Sequence, residues 1–288
     1  MRDRAATLAV ALLAGAAGAV LAMLALPVAG QAPSAIPRLA NGRPDLNGVW
    51  QSLNEANFDI QMHVARPALA LRAGPYGPVP DAAVVALGAV GAVPPGVGVV
   101  EGNELPYLPE ALKTKQENQA NWLARDPEIR CYLPGVPRAT YMPYPFEIVH
   151  SADNVFFAYE YAGAVRDVFM TDPGPAPVDS WMGQSVGRWE GDTLVVDVTG
   201  LNDRTWFDRA GNFHSDALHV VERYTRTSRD IMAYEATIED PDVFSRPWTM
   251  RMALYRRQEP NAQLLDFKCV EFVEELIYGQ WRKTPLDR

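Results

Sequence analysis

The chain has 288 residues, of which 48% are hydrophobic and 10% aromatic, so it can bury a substantial core and does not have the composition of a disordered protein. Its formal net charge is −9 and its Lys and Arg residues form no long run. This charge argues against nucleic acid as a partner, because phosphate contacts need clustered positive side chains. The sequence also lacks the glycine-rich fingerprints of nucleotide-binding loops, and we therefore expect no cofactor.

The first 30 residues have the features of an export signal. Arg2 and Arg4 precede an uncharged run over residues 5–29, which ends in small residues of the kind found at signal-peptide cleavage sites. We predict a signal peptide over residues 1–30 and a periplasmic or secreted protein. The uncharged run is about as long as a bilayer span, so an uncleaved anchor that tethers the protein to a membrane is the alternative.

The next hundred residues change character several times. Proline and polar residues come first, and a Gly-x-Trp sequence then begins a short strand. A stretch rich in Ala, Val, Gly and Pro predicts an irregular loop that covers a pocket or the fold. A glycine-free segment between two prolines predicts a surface helix. This region, 31–130, thus divides into a leader (31–45), a strand that begins at Gly48, a cover loop (64–100) and a helix (109–128).

Residues 131–288 are predicted to form a β-barrel domain. Short apolar or alternating segments follow one another with turn signals between them. Several neighbours are joined by only a few residues, which requires antiparallel pairing, and no crossover helices are predicted. The sequence therefore predicts an all-β fold, an antiparallel barrel with one surface helix. The expected strands are 146–150, 154–161, 164–170, 184–189, 193–199, 217–226, 231–238, 248–256 and 264–273.

Two sets of residues resemble known proteins. Gly48-Val49-Trp50 resembles the lipocalin Gly-x-Trp signature, in which the tryptophan closes one end of a barrel. The blocks SWMGQSVGRWEGDTLVVDVTGLNDRTWFD, HSDALHVVERY and RPWTM resemble a group of exported bacterial proteins that are mostly uncharacterised. The resemblance covers residues 44–51 and 130–273. It implies a calycin- or lipocalin-like barrel and implies no reaction.

Ionisable residues on predicted inward faces are the first candidates for chemistry. Side chains alternate along a strand, so Glu222 should point inward and His219 outward. The same rule places Glu271 and His150 on apolar faces. A buried carboxyl has a raised pKa and suits proton transfer near neutral pH, which makes Glu222 a candidate acid or base with Glu271 or His214 as its partner. The alternative is that an Arg or a Tyr hydroxyl satisfies each buried group.

The connection 200–215 supplies a second candidate. His214 and Asp203 are predicted to form a base and its orienting carboxylate at the barrel rim, and the alternative is ordinary turn chemistry. The spacing of His214 and His219 does not match a metal site, so we expect no metal. Ser185 lies in a G-x-S-x-G pattern that leads into a strand rather than a helix, and we do not assign it as a nucleophile.

Aromatic and basic residues predict a ligand pocket. The segment 131–146 is rich in Pro and Tyr, and it presents aromatic and basic side chains on a rigid backbone. Such a surface suits an apolar, aromatic or polycyclic small molecule. The candidate substrate-binding residues are Arg138, Tyr144, His150, Trp181, Arg188 and Trp206, with Arg138 and Arg188 at a polar end of the ligand.

Two cysteines in an exported chain predict one disulfide, between Cys131 and Cys269, with two buried thiols as the alternative. Three functions are compatible with these patterns. The first is a periplasmic enzyme that performs hydration, elimination or isomerisation by acid–base chemistry without a cofactor. The second is a non-catalytic, lipocalin-like carrier of a small molecule. The third is a hydrolase that uses the His214–Asp203 pair.

Overall fold

A computed structural model describes residues 35–68, 70–81, 92–151 and 154–267. The predicted signal peptide, Cys269 and Glu271 lie outside these residues. The Cys131–Cys269 disulfide and the role of Glu271 therefore stay predictions. Among the described residues, no helix has both the length and the apolar content to cross a membrane.

The predicted all-β barrel is confirmed: nine strands close into one barrel. Eight of them lie between residues 146 and 256, close to the bounds that the alternation of side chains predicts. The strands are β1 (Gly48–Ser52), β2 (Phe146–His150), β3 (Val155–Tyr159), β4 (Val165–Phe169), β5 (Gln184–Glu190), β6 (Thr193–Thr199), β7 (His219–Arg226), β8 (Ile231–Glu239) and β9 (Trp248–Arg256).

Neighbouring strands of the barrel follow the order of the chain, and β1 closes it by pairing with both β2 and β9. All pairs are antiparallel except β4 with β5, which run parallel. The sequence pattern predicted antiparallel pairing throughout. With an odd number of strands, however, direction cannot alternate all the way round a ring, so one pair must be parallel. The connection 170–183 is long enough for the crossover that a parallel pair needs.

The last predicted strand, 264–273, does not form in its described part, since residues 264–267 are outside any strand. The ninth position of the barrel belongs instead to β1. Because β1 pairs with strands on both of its sides, the ring is complete without residues 264–267. The barrel therefore takes one strand from the chain before residue 131.

The predicted helix over 109–128 is divided into shorter pieces. Its first part ends at Ala120, because Asn121 leaves helical geometry (φ −119°, ψ 28°) and its side-chain amide donates to the carbonyl of Glu117 (2.9 Å). The helices are α1 (Pro109–Ala120), α2 (Trp122–Arg125) and α3 (Arg138–Tyr141), with 3-10 turns at Glu101–Asn103, Pro127–Arg130 and Tyr161–Gly163. In the cover, Arg66–Pro67 pairs with Ala92–Val93, and Leu71–Arg72 pairs with Val79–Pro80.

The two sides of β7 follow the predicted alternation. Glu222 is fully buried inside the barrel, whereas the side chain of His219 is 34% exposed on the outer face. His219 contacts two carboxylates there, those of Asp197 (3.1 Å) and Glu239 (3.4 Å). The predicted inward and outward positions of these two residues are therefore confirmed.

The barrel has two distinct ends. At the end where β2 begins and β3 ends, which we call the loop end, the connections 127–142 and 200–215 pack against the barrel core. The backbone of Trp50 pairs with Phe146, but its buried indole points toward the opposite end, where Nε1 donates to the carbonyl of Leu46 (2.9 Å). The guanidinium of Arg226, the last residue of β7, lies over the Trp50 ring at 5.4 Å.

Candidate functional site

A polar group of side chains lies inside the barrel around Glu222. One carboxylate oxygen of Glu222 accepts hydrogen bonds from the hydroxyls of Tyr224 (2.9 Å) and Tyr234 (2.7 Å). The other oxygen pairs with Nη2 of Arg166, whose Nε donates to the Ser185 hydroxyl (2.6 Å). All five residues are at most 3% exposed. We call them the interior cluster.

Strand register explains why these groups meet. Tyr224 and Tyr234 are direct partners across β7 and β8, and their ring centroids lie 5.0 Å apart. Glu222 pairs across the same strands with Ala236, whose small side chain leaves room for the polar groups. The Arg166 guanidinium lies 5.4 Å from the Phe157 ring, a distance at which a cation is attracted to an aromatic face.

The protonation states inside the barrel follow from burial and charge. Burial raises the pKa of Tyr224 and Tyr234 well above the usual value, and the negative charge of Glu222 adds to the shift. Burial opposes a charge on Arg166, but the Glu222 carboxylate keeps the pKa of Arg166 well above its usual value. Glu222 thus accepts bonds from two phenols and a guanidinium. These contacts agree with the alternative of a satisfied buried carboxylate more than with proton transfer.

Three buried atoms beside the interior cluster have no hydrogen-bond partner within the described part of the chain. They are Nη1 of Arg166 and the hydroxyls of Tyr159 and Thr140. Burial raises the pKa of Tyr159, whereas the charge of Arg166 and hydrogen bonding to Arg166 and Thr140 lower it, so the three groups lie close to one another and partly offset the lack of other partners. An unpaired buried polar group costs about 1–3 kcal/mol.

A second buried polar group, the ionic cluster, lies at the loop end. The Glu128 carboxylate accepts two bonds from Arg209, both at 2.7 Å, and one from Nη2 of Arg138 at 2.6 Å. Nε of Arg138 donates to the Asn57 side chain (2.8 Å), and its Nη1 lies 3.8 Å from an Asp126 oxygen. These residues are all at most 5% exposed. The ionic cluster therefore joins four separate segments of the chain.

Asp126 should make the stability of the protein depend on pH. Burial raises the pKa of its carboxyl from 3.8 to about 6, against the attraction of Arg138. A carboxyl whose pKa is higher in the folded than in the unfolded state stabilises the fold while it is protonated. This contribution to the unfolding free energy is lost as the pH rises from about 4 to about 6. In Asp126→Asn the side chain can still accept from the Glu128 amide, as in the native turn (2.9 Å).

We therefore expect wild type to lose about 3 kcal/mol of unfolding free energy relative to Asp126→Asn between about pH 4 and pH 7. Urea denaturation of both proteins at several pH values measures the difference. Asp179→Asn, at an exposed position, serves as the surface control. A wild-type-minus-variant difference that stays constant over this range would contradict the prediction.

A threonine and a histidine pair near the ionic cluster. Nδ1 of His214 lies 2.8 Å from the carbonyl of Ser215, and Nε2 lies 2.6 Å from the Thr205 hydroxyl. A carbonyl can only accept, so Nδ1 carries the proton and Nε2 accepts from the hydroxyl. Burial lowers the pKa of His214, which keeps the ring neutral. This arrangement places a potential base beside a potential nucleophile and orients the base through its other nitrogen.

A narrow cavity of about 10 Å³, which we call the rim cavity, lies beside this pair. Thr205 belongs to its wall, and Glu128 and Arg138 of the ionic cluster border it. The rest of the wall is mostly aromatic and apolar. Its main lining residues are Pro127, Tyr132, Met142, Tyr161, Thr205 and Trp206.

Five of the sequence-predicted site residues lie in or next to the rim cavity. Arg138 and Trp206 line it. Trp181 packs on the lining residue Tyr132 (ring centroids 4.8 Å apart), and Tyr144 packs on Tyr161 (5.7 Å). The fifth residue, His214, reaches the cavity through Thr205.

The other predicted site residues lie elsewhere. Glu222 is inside the barrel, and Arg188 is on the outer face, where it contacts Glu190 (3.0 Å) and Asp197. His150 packs on Trp189, 5.3 Å away, at the opposite end of β2. Burial lowers the pKa of His150.

Asp203 does not form the predicted pair with His214, because both ring nitrogens of His214 already have other partners. Asp203 is exposed, and its charge acts on His214 only as the weakest of several influences. The group that orients the His214 ring beside Thr205 is the backbone carbonyl of Ser215 and not a carboxylate. The histidine was found from the sequence, but its partner was not.

Sequence reasoning also missed Arg166, Thr205, Glu128 and Arg209. Arg166 shares one face of β4 with Val168, and both are buried, so the rule that placed Glu222 inside could have placed Arg166 there too. The other three lie in connections, where no periodicity indicates which way a side chain points. Among the described residues, no group of three or more His, Cys, Asp or Glu is placed to hold a metal ion.

The fold and its sites define a closed nine-stranded barrel with a buried ion pair in its interior and an aromatic cavity at its rim. No family model, no curated protein and no solved structure matches the chain. The geometry of the described residues is therefore the basis for assigning a function.

Proposed function

We propose that this protein is exported to the periplasm and binds an apolar or aromatic small molecule at the rim cavity. The observation that carries the proposal is that Arg138 and Trp206 line one cavity and that Trp181, Tyr144 and His214 each contact a residue of its wall. Aromatic walls with a few fixed polar groups are the usual composition of small-molecule sites.

The walls of the cavity indicate how a ligand would be held. Tyr132, Tyr161 and Trp206 offer apolar contact, while Thr205, Glu128 and Arg138 are the polar residues of the wall. The wall includes Tyr132, Leu133 and Pro134, which belong to a segment, 131–137, that contains neither helix nor strand. Since the cavity itself is narrow, binding of an aromatic molecule requires this segment to move outward. The ligand would then replace protein contacts rather than fill an open space.

Mass spectrometry of small molecules that co-purify with the protein from a periplasmic extract tests this proposal. We expect an apolar or aromatic compound in wild type and its loss in Trp206→Ala, because the substitution removes a wall of the cavity. Trp189→Ala, a partly buried tryptophan that packs on His150, is the matched control and should retain the compound. Equal retention by both variants, with both shown to be folded by circular dichroism, would place the ligand elsewhere.

A hydrolase is the second candidate function, and the Thr205–His214 geometry is the observation that favours it. The Thr205 oxygen would attack the carbonyl carbon of an ester while Nε2 of His214 takes the hydroxyl proton. That proton would pass to the leaving alcohol, and water would then release the acid from the acyl-enzyme.

Hydrolysis of p-nitrophenyl butyrate tests the second candidate. We expect Thr205→Val to lose at least about a hundredfold in kcat/KM, the usual size for loss of a catalytic group, while Thr205→Ser retains activity. The binding proposal alone predicts no turnover in any of these proteins. Wild-type turnover that survives Thr205→Val would eliminate the nucleophile assignment.

Acid–base catalysis by Glu222, as in a hydratase, lyase or isomerase, receives the least support from the geometry. Its carboxylate is occupied by Arg166, Tyr224 and Tyr234. A substrate would have to displace at least one of these donors before the carboxylate could take up a proton. Turnover of a co-purified compound that disappears in Glu222→Gln, in a folded variant, would restore this function.

A further inference from the structure

A second and larger depression lies between the cover and the helices. Its volume is about 410 Å³, which is within the range of small-molecule sites. The cover contributes Arg66 and Leu71, α1 and α2 contribute Gln119 and Trp122, and the connection after β6 contributes Arg209 and Ala210. We call it the arginine cleft. Its described lining residues are all different from those of the rim cavity.

Arg66 is the unusual member of this cleft. Its Nε and Nη2 are shielded from solvent and have no hydrogen-bond partner among the residues that the structure describes. Asp59 is the carboxyl whose pKa responds to Arg66, and it responds more strongly to Lys115 and His63. Arg66 therefore carries a positive charge without a close anion among the described residues. An unpaired, partly buried guanidinium is costly, and an anionic ligand would relieve that cost.

The other lining residues of the arginine cleft indicate which further features a ligand would have. Arg209 adds a second guanidinium, although two of its nitrogens already bind Glu128. Trp122 is only 7% exposed and presents an apolar wall, which Leu71 extends. The protein as a whole is acidic, with a formal net charge of −9, so a local pair of arginines in a cleft stands out against its surface.

We infer that the arginine cleft binds an organic carboxylate with an apolar or aromatic body. Binding requires the Arg66 side chain to turn, because its Nε and Nη2 are shielded from solvent. The carboxylate then pairs with them in the fork geometry that guanidinium groups favour, and the body of the ligand packs on Trp122. The positive charge of Arg209 also attracts the carboxylate of the ligand, without forming a hydrogen bond to it. The arginine cleft is a separate site from the rim cavity, and its ligand is a different one.

Isothermal titration calorimetry with 2-naphthoate tests the inference. Two control compounds are used: 2-naphthamide lacks the negative charge, and inorganic phosphate lacks the apolar body. We expect 2-naphthoate to bind at least about tenfold more tightly than either probe. Arg66→Gln should weaken 2-naphthoate by about tenfold or more, and Trp122→Leu should weaken it too. Arg72→Gln, on the neighbouring exposed strand of the cover, is the matched control and should bind as wild type does.

Three results would overturn the inference. Equal affinity for 2-naphthamide would show that the charge is not recognised, and equal affinity for phosphate would show that the apolar body is not. Unchanged binding in Arg66→Gln, with a thermal unfolding midpoint equal to wild type, would remove the assigned residue. Trp206→Ala separates the two sites, because it should leave 2-naphthoate binding unchanged whether or not the rim cavity binds its own ligand.

Discussion

Glu222→Gln is expected to lower the unfolding free energy by about 3–5 kcal/mol, the usual cost of removing one partner from a buried ion pair. The side chains of Glu222 and Arg166 are 0% and 1% exposed. Glutamine preserves the shape but leaves the Arg166 charge without its anion inside the barrel. It also offers a weaker, neutral acceptor to the hydroxyls of Tyr224 and Tyr234. Guanidinium chloride denaturation measures the loss.

Two further variants make this prediction specific. Glu190→Gln removes a carboxylate that contacts Arg188 and Arg223 on the exposed outer face, and it should have little effect because water solvates those charges. Replacing the pair together, by Arg166→Met and Glu222→Leu, should recover part of the stability that Glu222→Gln loses. If the single variant is as stable as wild type, the pair does not hold the interior together.

Glu128→Gln is expected to cost a similar amount, about 3–5 kcal/mol, because one carboxylate serves two buried guanidiniums. Arg209 and Arg138 would both lose their shortest contact, at 2.6–2.7 Å. Glu128 also anchors segments that the chain places far apart, so its loss should loosen the loop end of the barrel. Hydrogen exchange of residues 200–215 should rise together with the fall in unfolding free energy.

The effect of Glu128→Gln should itself depend on pH. Although burial opposes its charge, the attraction of Arg209 and Arg138 lowers the pKa of Glu128 below its usual value. A carboxyl with a lowered folded pKa stabilises the protein above its unfolded pKa, and this contribution is lost as the pH falls through the folded pKa. Wild type and variant should therefore converge at strongly acidic pH.

Glu117→Gln is the control for this second prediction. Glu117 contacts Arg125 on the exposed face of α1, at 3.3 Å, and a pair of this kind contributes little to stability. A difference between wild type and Glu128→Gln that does not shrink in acid would contradict the assigned ion pairs.

The barrel wall was predictable because strands repeat every two residues. This alternation correctly predicted that Glu222 points into the barrel and His219 points outward. It also predicted eight of the nine strands. It could not identify the parallel pairing of β4 with β5, because direction round the ring depends on the total number of strands. The ninth member, β1, was predicted as a strand, but its partners β2 and β9 are distant in the chain, and local patterns do not specify such pairs.

The sites were predictable only as separate residues. The sequence indicated His214, Arg138 and Trp206 as candidates, yet it could not show that Thr205 is the partner of His214 or that Glu128 neutralises Arg138. Arg209 meets Glu128 across 81 positions of the chain, and both lie in connections without periodic structure. Contacts of this kind arise from the packing of loops, which follows only after the barrel is formed.

The role of β1 has a consequence for the order in which the molecule assembles. Trp50 pairs with Arg256, so the ring closes between the first strand and the last. Folding slows when the decisive contacts are distant in the chain, and here closure must wait for β9. Before closure, the sheet presents two unpaired edges that other chains can join. Aggregation before the ring closes should therefore depend on how quickly β1 docks, more than on the stability of the finished barrel.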